Sequence, residues 1–565
     1  MTTPPATPQP TPLAALPDHV PVLIAGGGPS GLFLALELAH RGIRSLVVEP
    51  RVDVDPHRPR AKTTNSRTMT HLRRLGLAQA LRAAAALDAD YSEDVIFCSS
   101  LTGFEVKRFR HAFQLHRERF ELQPEAGQQI AQPVVETVLR EAARRSDLVT
   151  LCTGLRVTGV DGHTVTVSTA TPISTTAAAS STATTPAVTD AGSRQVHADF
   201  LVGADGGTSV VRKSLGIAMQ GGSANRSNLN VLFRSTRLAD VVTLDPAVQY
   251  WVMAPEASGI IGRADLTDTW WAIVQGVDIE RSDLDPAALI RAMAGSDIDV
   301  DVIATDPWTA RMLLADSYGR DGVYLIGDAA HLNPPWGGHG FNTCIGDAAN
   351  LGWKIAATLD GWGGDALLAS YEPERRPVAA RTIREAAANG HALANDFADA
   401  LLGSDSPEGE ALRAWASDAL DVKRSEFSSL GLVLGYSYAD SPLVAPDPEP
   451  APAESPIDYV ASARPGMLLP HVWLADGTSV YDLLDDRGFT LFVAAGADFD
   501  LDSRHGIPVH TVVLADTALF ARWGAPAVLV RPDQHVAWRG STASHAAAAL
   551  DRAAGWARTL QEAAP

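Results

Sequence analysis

A glycine-rich segment near the N terminus constrains the fold of this chain more than any other feature. Residues 20–25 are apolar and rich in β-branched side chains, which is typical of a short buried strand. A glycine-rich turn leads into residues 31–41, whose apolar positions have helical spacing, and residues 45–49 read as a second buried strand. Strand, turn, helix and strand in about thirty residues predict a βαβ unit. We therefore expect an α/β fold built on a parallel sheet.

The turn itself, Gly26-Gly27-Gly28-Pro29-Ser30-Gly31, has the G-x-G-x-x-G pattern of a dinucleotide-binding site. Gly26 allows a tight turn, Gly28 lets the backbone approach a pyrophosphate, and Gly31 lets helix and strand pack closely. The helix N terminus attracts phosphate through its N–H groups and its dipole. Glu49 ends the second strand, where an acidic residue accepts hydrogen bonds from ribose hydroxyls. A purely structural turn is the weaker alternative, because a predicted strand precedes the glycines, a predicted helix follows them and Glu49 ends the next strand.

Two further motifs each place an aspartate directly after a predicted strand. The first is Gly203-Ala204-Asp205-Gly206-Gly207-x-Ser209-x-x-Arg212, which alone could equally be a strand-to-helix turn capped by Asp205. The second begins Gly327-Asp328-Ala329-Ala330-His331 and continues Pro334-Pro335-Trp336-Gly337-Gly338-His339-Gly340-Phe341-Asn342. Asp328 can bind a ribityl hydroxyl. Free N–H groups at residues 340–342, at the start of a predicted helix, suit the anionic edge of a flavin.

In this order and spacing, the three motifs resemble those of the class A flavoprotein monooxygenases, the para-hydroxybenzoate and phenol hydroxylase family, over roughly residues 20–381. The resemblance implies that FAD is the bound cofactor. It places Arg58 and Arg60 near the flavin and pyrophosphate, Gln132 on the ribityl chain, and Pro335 beside the substrate. The full set of expected cofactor contacts is Gly26, Gly28, Ser30, Gly31, Glu49, Arg51, Arg58, Arg60, Gln132, Val157, Asp205, Asp328, Pro335, Gly338, Gly340, Phe341 and Asn342.

The resemblance also implies the chemistry. NADPH or NADH reduces FAD, O₂ is the co-substrate, and a flavin C4a-hydroperoxide transfers one oxygen atom to a phenolic or polyketide-type aromatic substrate. No second G-x-G-x-x-G is present, so we expect the nicotinamide cofactor to dock transiently, and the choice between NADH and NADPH stays open. Three alternatives remain: a Baeyer–Villiger or epoxidising monooxygenase, an O₂-independent flavin reductase, and a non-catalytic FAD-fold carrier.

Four side chains are candidates for the substrate side of the site. His339 and Pro335 lie in the third motif, and His339 is weighed for an acid–base role. Trp251 and Trp271 lie on predicted strands and are assigned to the substrate pocket, with core packing as the favoured alternative. No metal site is expected, because the histidines show neither H-x-x-x-H nor H-E-x-x-H spacing.

The rest of the chain predicts a Rossmann-like FAD-binding domain with an inserted antiparallel-sheet substrate domain and a C-terminal α/β domain that resembles thioredoxin. The inserted strands are expected at 229–234, 248–254, 259–263 and 270–275, and helices at 71–86, 133–145 and 346–359. The expected boundaries are a disordered tail (1–18), an FAD-binding domain (19–90, 125–220 and 310–400), a substrate-binding sheet domain (91–124 and 221–309), a helical segment (401–444), a linker (445–458) and the thioredoxin-like domain (459–565).

The composition limits the classes of partner that the chain is expected to bind. With 46 basic and 66 acidic residues the net charge is −20, which disfavours binding to nucleic acid and to anionic membranes. Three scattered cysteines and no signal peptide indicate a reducing, cytoplasmic location. The expected partner is a small aromatic or polycyclic substrate, with self-association into a homo-oligomer left open.

Overall fold

The structure is a computed structural model. In the residues that it describes, the chain forms four β-sheets with helices packed on them. The described residues are 9–58, 62–170, 192–279, 281–390, 393–497, 499, 501 and 503–556.

The strands are β1 (His19–Ala25), β2 (Ser45–Glu49), β3 (Thr63–Thr64), β4 (Val95–Cys98), β5 (Glu105–Phe109), β6 (Gln128–Gln129), β7 (Val149–Thr153), β8 (Leu155–Asp161), β9 (Thr164–Thr169), β10 (Ser193–Gly203), β11 (Met219–Arg234), β12 (Gln249–Met253), β13 (Ser258–Arg263), β14 (Thr269–Gln275), β15 (Asp301–Ala315), β16 (Gly319–Arg320), β17 (Val323–Leu325), β18 (His331–Leu332), β19 (Phe489–Ala494), β20 (Val509–Leu514), β21 (Ala527–Val530) and β22 (Val536–Gly540). The α-helices are α1 (Pro29–His40), α2 (Ser66–Arg74), α3 (Ala78–Ala84), α4 (Gln132–Arg145), α5 (Val210–Ser214), α6 (Leu238–Val241), α7 (Pro286–Ala294), α8 (His339–Leu359), α9 (Ala366–Ala369), α10 (Tyr371–Asn389), α11 (Pro407–Ala419), α12 (Arg424–Phe427), α13 (Leu430–Val433), α14 (Thr517–Trp523) and α15 (Ala543–Ala553).

The first sheet contains the predicted βαβ unit as β1, α1 and β2, which confirms an α/β fold. Its strand order is β16-β17-β10-β1-β2-β7, with β9 beside β10 and β8 beside β9. Strand β1 pairs in parallel with β2 on one side and β10 on the other. In such a sheet, ligands bind outside the carboxyl ends of the strands, at the point where the strand order reverses. The ends of β1, β2, β10 and β17 therefore mark the edge at which a site is expected.

The second sheet has the order β18-β15-β11-β14-β13-β12-β4-β5 and is antiparallel except for the pair β4 and β12. Alternation along β14 puts Trp270 into the apolar cluster under α7 and Trp271 into the cluster on the opposite face. That opposite face also receives Trp336, so it faces the third sequence motif. The sequence missed β15. Moreover, β11 begins at Met219 and β15 runs to Ala315, so the expected domain limits at 220 and 310 fall inside strands.

Two expectations for local structure are wrong. The single helix expected over residues 71–86 is two helices, α2 and α3, separated at Gly76 (φ 70°), where a left-handed glycine ends the first helix. The tail expected to be disordered through residue 18 is ordered in its second half. Thr11 N donates to Thr153 O (2.8 Å), and Leu16 is buried against the first sheet. Residues 171–191, which are rich in Ala, Ser and Thr, lie outside the described residues.

The C-terminal sheet has the order β20-β19-β21-β22. Strands β19 and β20 are parallel and the other pairs antiparallel, with α14 and α15 completing an α/β unit. The preceding linker packs on this unit rather than standing away from it: Asp447 accepts two hydrogen bonds from Arg539.

A buried ionic network joins this C-terminal unit to the helices behind the first sheet. Arg531, after β21, donates to both carboxylate oxygens of Glu374 on α10 (2.6 and 2.7 Å) and to Asp533 (2.7 Å). Lys354 on α8 donates to the same Glu374 (2.7 Å). The four side chains are at most 4% exposed. Burial lowers the pKa of Lys354 to about 8, whereas the neighbouring Arg531 and Lys354 hold the pKa of Glu374 far below its usual range.

We expect Glu374→Ala to destabilise the protein by about 3–5 kcal/mol, because it leaves Lys354 buried without its anion and Arg531 with Asp533 alone. Urea unfolding, read out by tryptophan fluorescence, measures the change. The matched control is Glu141→Ala, which removes an exposed pair with Arg145 and should cost less than about 1 kcal/mol. Equal, small changes in the two variants would contradict a central role for the network.

Candidate functional site

The glycine turn after β1 is shaped by two close approaches and one open position. Gly26 has φ 108°, and a Cβ atom there would lie 2.3 Å from Ala204 O. A Cβ atom at Gly31 would lie 2.0 Å from Gly26 O, so helix α1 can pack this closely only on glycine. A Cβ atom at Gly28 would meet nothing within 4 Å, so the backbone there faces open space at the N terminus of α1. Ser30 lies in the first turn of that helix. A phosphate group fits this position.

Glu49 stands at the carboxyl end of β2, with its carboxylate bound by protein donors. Oε2 accepts from Gly27 N (2.7 Å), and Oε1 accepts from Arg51 N (3.0 Å) and Arg51 Nε (2.6 Å). Arg51 in turn pairs with Glu136 on α4 (2.8 Å). Each carboxylate oxygen can accept two hydrogen bonds, so Oε2 keeps capacity for a ribose hydroxyl.

Asp205 follows β10, and its two carboxylate oxygens have different surroundings. Oδ2 accepts from Val210 N (2.7 Å) and Val211 N (3.2 Å), so the helix-capping interpretation is right for this atom. Oδ1 is buried and has no hydrogen-bond partner among the described residues. Burial raises the pKa of Asp205. Buried polar atoms are rarely unpaired, so Oδ1 provides an acceptor that a ligand hydroxyl can satisfy.

Asp328 projects outward from the turn after β17. Gly327 (φ 59°) reverses the chain, and Asp328 is exposed while Gly327 and Ala329 are buried. Arg212 fixes this turn to the Asp205 loop by donating to Ala329 O and Gly207 O, both at 3.0 Å. The two aspartate motifs, far apart in sequence, thus meet at one edge of the sheet.

The sequence missed Asp347, which supports the same turn from behind. Its Oδ2 accepts from Gly327 N (3.1 Å) and interacts with His331 Nε2 (2.8 Å), and its Oδ1 accepts from Arg375 Nε (2.9 Å). Burial acts to raise the pKa of Asp347, but the adjacent His331 and Arg375 outweigh it and lower that pKa. An aspartate in an apolar helix was the available signal. His331 is buried against Asp347.

Helix α8 begins directly at the third motif. Pro335 is exposed, and Gly337 and Gly338 have φ 81° and 66°, which turns the chain into the helix. No side chain caps the N terminus of α8, so the first N–H groups, through Gly340 and Phe341, stay available. The Asn342 side chain instead binds backbone, donating to Gly338 O (2.7 Å) and Thr63 O (3.1 Å) and accepting from Asn65 N (3.0 Å).

His339 gives no support to an acid–base role. It is 4% exposed, and its Nε2 has no hydrogen-bond partner within the described part of the chain. The ring lies against Gly337, where a Cβ atom would be 2.4 Å from that nitrogen. Burial lowers the pKa of His339 to about 4, so the imidazole is neutral near pH 7 and closed off from the cleft.

A cleft of about 270 Å³ lies between the second sheet and the segments around Lys62 and Ile130, and contains one of the two predicted tryptophans. Trp271 lines it, with Lys62 Nζ 4.1 Å above its ring. Trp251 is fully buried, stacks on Phe97 (5.1 Å between ring centroids) and is not among the described lining residues. The cationic lining is Arg58, Lys62, Arg234 and Arg263, and no Asp or Glu is found among the described lining residues.

Three other residues were predicted to contact the cofactor, and each has a different environment. Gln132 begins α4 and is half-buried, next to cleft residues 129–131 and 133–134. Val157 lies on β8 with its side chain in the apolar core, so its predicted contact with a cofactor has no visible basis. Arg60 lies outside the described residues.

Known proteins share this architecture. A family model for an FAD binding domain matches residues 19–386. A second model, for the C-terminal part of aromatic-ring hydroxylases, matches residues 462–557. The chain belongs to the FAD-dependent aromatic-ring hydroxylases. FAD is accordingly the cofactor, and NAD(P)H and O₂ are the co-substrates of this class.

The hydroxylase resembles enzymes named for aromatic substrates of different size. It is 31% identical to a putative polyketide hydroxylase of Streptomyces halstedii, over 92% of this chain and 93% of that protein. It is also 31% identical to the 2,4-dichlorophenol 6-monooxygenase of Delftia acidovorans, over 92% and 94%. A solved structure of RebC, soaked with chromopyrrolic acid and with bound 7-carboxy-K252c, has a TM-score of 0.83 at 33% identity, covering 96% of this chain and 100% of that one.

A search for membrane spans found none: within the described residues, every helix is too short or too polar to cross a bilayer.

We expect His339→Asn to reduce the acid sensitivity of folding. The pKa of His339 is lower in the folded protein than in the unfolded chain. The folded protein therefore loses stability as the pH falls from about 6.5 to 4, because the unfolded chain binds the proton first. The wild-type free energy of unfolding should therefore fall by up to about 1.4 kcal/mol per pH unit more than that of the variant. Urea titrations at several pH values, with FAD in excess, measure this slope. The exposed His545→Asn is the control, and equal slopes for wild type and both variants would refute the assignment.

Proposed function

We propose that the chain hydroxylates a phenolic or polyketide-type aromatic substrate in the cleft against its second sheet, using FAD, NAD(P)H and O₂. The observation that carries this proposal is the position of the cleft. One wall comes from residues 56–58, Lys62 and residues 129–131, 133 and 134, beside the cofactor edge, and the other from Trp271 and neighbouring strands of the second sheet. An aromatic ring in this cleft can lie beside Trp271 and Lys62 with its reacting edge toward the cofactor.

For FAD, we assign each part of the molecule to residues whose surroundings fit it. The open backbone at Gly28 and the α1 N terminus suit the pyrophosphate, and Glu49 with Arg51 suits the adenosine ribose. Asp328, Gln132 and the unpaired Asp205 Oδ1 are acceptors or donors for the ribityl and ribose hydroxyls. The backbone N–H groups of Gly340 and Phe341 suit the pyrimidine edge, and Pro335 borders the substrate. Bound FAD supplies the redox and oxygen-transfer chemistry.

The protein's own task is to hold the ring, remove the phenolic proton and exclude water. Lys62 is placed for the proton. Burial lowers its pKa to about 7, and its ammonium nitrogen lies over Trp271 inside the cleft. Near neutral pH a large fraction is therefore unprotonated and can accept the proton of a phenol, after which the ammonium pairs with the phenolate. The adjacent Thr63 receives a hydrogen bond from Asn342, which connects Lys62 to the start of α8.

The charge of the cleft favours an acidic aromatic substrate. Four cations and no described carboxylate line it, in a protein of net charge −20. An aromatic compound with a phenolate or carboxylate group therefore gains attraction there that a neutral ring lacks. The bound 7-carboxy-K252c of RebC, a carboxylated compound by its name, is compatible with this class.

For the C-terminal unit, we propose a thioredoxin-like fold with a packing role. Its mixed four-stranded sheet flanked by helices supports the fold, and the sequence after residue 344 holds no cysteine, which excludes dithiol chemistry.

Oxygen consumption tests the proposed reaction. We expect substrate-dependent uptake of O₂, oxidation of NAD(P)H, and one atom from ¹⁸O₂ in a hydroxylated product. Product structure separates hydroxylation from Baeyer–Villiger insertion or epoxidation. Substrate turnover without oxygen uptake would point to a reductase, and a purified protein that binds no FAD would point to loss of the cofactor role; either outcome contradicts the proposal.

Asp328→Ala should weaken FAD retention, because the exposed carboxylate at the cofactor edge is lost. Gel filtration followed by the ratio of flavin to protein absorbance measures retention. Asp297→Ala, at a fully exposed carboxylate, is the control and should stay fully loaded. A yellow, fully loaded Asp328→Ala protein would refute the assignment.

Lys62→Met should remove a pH-dependent step from catalysis. Wild-type kcat/KM is expected to rise with pH through about 7, as the unprotonated amine becomes available. The variant should lose about 10²–10⁴-fold in kcat at neutral pH and lack that rise. Lys213→Met, at an exposed site, is the control. A Lys62→Met profile that still rises through pH 7 would exclude Lys62 as the proton acceptor.

A further inference from the structure

Glu93, His111 and His116 form a cluster at the open end of the β4–β5 hairpin, opposite the turn that connects the two strands. One potential ligand atom from each lies within 4.8 Å of the others. His111 Nδ1 is 3.2 Å from Glu93 Oε2, and the rings of His111 and His116 stack at 4.5 Å with an interplanar angle of 11°. None of the three takes part in the cofactor edge or in the cleft.

The hairpin explains why these residues meet. Strands β4 and β5 pair with Val95 opposite Phe109, and continuing that register outward brings Glu93 opposite His111. The ladder does extend this far, since Ala112 N donates to Glu93 O at 2.9 Å. The first carboxylate and the first imidazole are therefore placed by backbone pairing.

A tight left-handed loop brings the second imidazole back. His111, Phe113 and Gln114 have φ of 50°, 59° and 60°, a region that side chains other than glycine seldom adopt. The loop reverses the chain so that His116 lies on His111, with Phe120 stacked on the far side of the His116 ring (4.7 Å).

Contacts on the inner side of the loop hold this conformation independently of the cluster. Gln114 O accepts from Gly127 N (2.8 Å), and its side-chain amide donates to Ser429 Oγ (3.2 Å). Phe113 packs edge-on against Phe427 (5.6 Å). The two histidines are thus presented on the outer side by a loop anchored from within, which is the preorganisation that a binding site needs.

We propose that Glu93, His111 and His116 form a binding site for a divalent transition-metal ion, with Zn²⁺ as the fitting ion. Two imidazoles and one carboxylate suit zinc, whereas Ca²⁺ and Mg²⁺ require oxygen ligands. Zinc–nitrogen bonds of about 2.1 Å place ligand atoms about 3.4 Å apart, close to the present spacing of His111 and Glu93. The side chain of His111 is 54% exposed and can rotate, which shortens the distances between ligand atoms that are still too long. Water completes the coordination.

The spacing rule applied to the sequence could not find this site. His111 and His116 are five residues apart on an irregular loop, so they share no helix face, and Glu93 comes from the other side of the hairpin.

Zinc stoichiometry tests the proposal. The FAD-loaded, full-length protein is stripped with a chelator, dialysed against Zn²⁺ and analysed for metal per chain. We expect one Zn²⁺ per wild-type chain and at least about tenfold weaker binding in His111→Ala, His116→Ala and Glu93→Gln, since even outer partners of ligands matter on that scale. His545→Ala, at an exposed histidine elsewhere, should match wild type.

Folding is checked separately. Zn²⁺ should raise the melting temperature of wild type and His545→Ala and leave the three cluster variants unchanged, while all proteins retain FAD. Glu93→Gln preserves side-chain size and carries the test if a histidine variant unfolds. Absence of zinc from wild type, or equal zinc in wild type and Glu93→Gln, would overturn the proposal. Neither outcome bears on the hydroxylase reaction, which uses none of these residues.

Discussion

A buried carboxylate, Asp347 on α8, holds the turn after β17 to the helices behind it. Asp347 accepts hydrogen bonds from Gly327 N and Arg375, and contacts His331. It therefore fixes the backbone of the turn that carries Asp328, without reaching the open side itself. Together with the hydrogen bonds that Arg212 donates to Ala329 O and Gly207 O, this support sets the geometry of the turn.

A second buried carboxylate, Glu374 on α10, explains why the C-terminal unit packs on the remainder of the chain. Glu374 is buried, and its charge is balanced by Lys354 from its own side and by Arg531 from the C-terminal unit. A buried charge without its partner costs several kcal/mol. Removing the C-terminal unit would leave Glu374 short of its principal counter-ion, so this unit completes the buried core around Glu374.

The distribution of charge fits the proposed reaction. The protein carries a net charge of −20, yet the described lining of the cleft contains cations and no carboxylate. An acidic surface with a locally cationic cleft directs anionic aromatic compounds to one place. Within the cleft, burial gives Lys62 a pKa of about 7, near the value useful for accepting a phenolic proton.

The sequence by itself determined the βαβ unit, the glycine turn and the order of the two aspartate motifs. These features depend on local backbone requirements, such as the positive φ of Gly26 and the close approach of Gly31 to Gly26 O, which favour glycine. The sequence also identified the protein family and its cofactor FAD, because each motif consists of residues that are close together in the sequence. Only the tertiary structure decided which side chains face the site. It buried His339 and Trp251, locked Asn342 onto backbone, and left Trp271 in the cleft. Burial and ion pairing between distant segments, as at Asp347 or in the cluster at Glu93, depend on how the elements pack, and no local pattern encodes that.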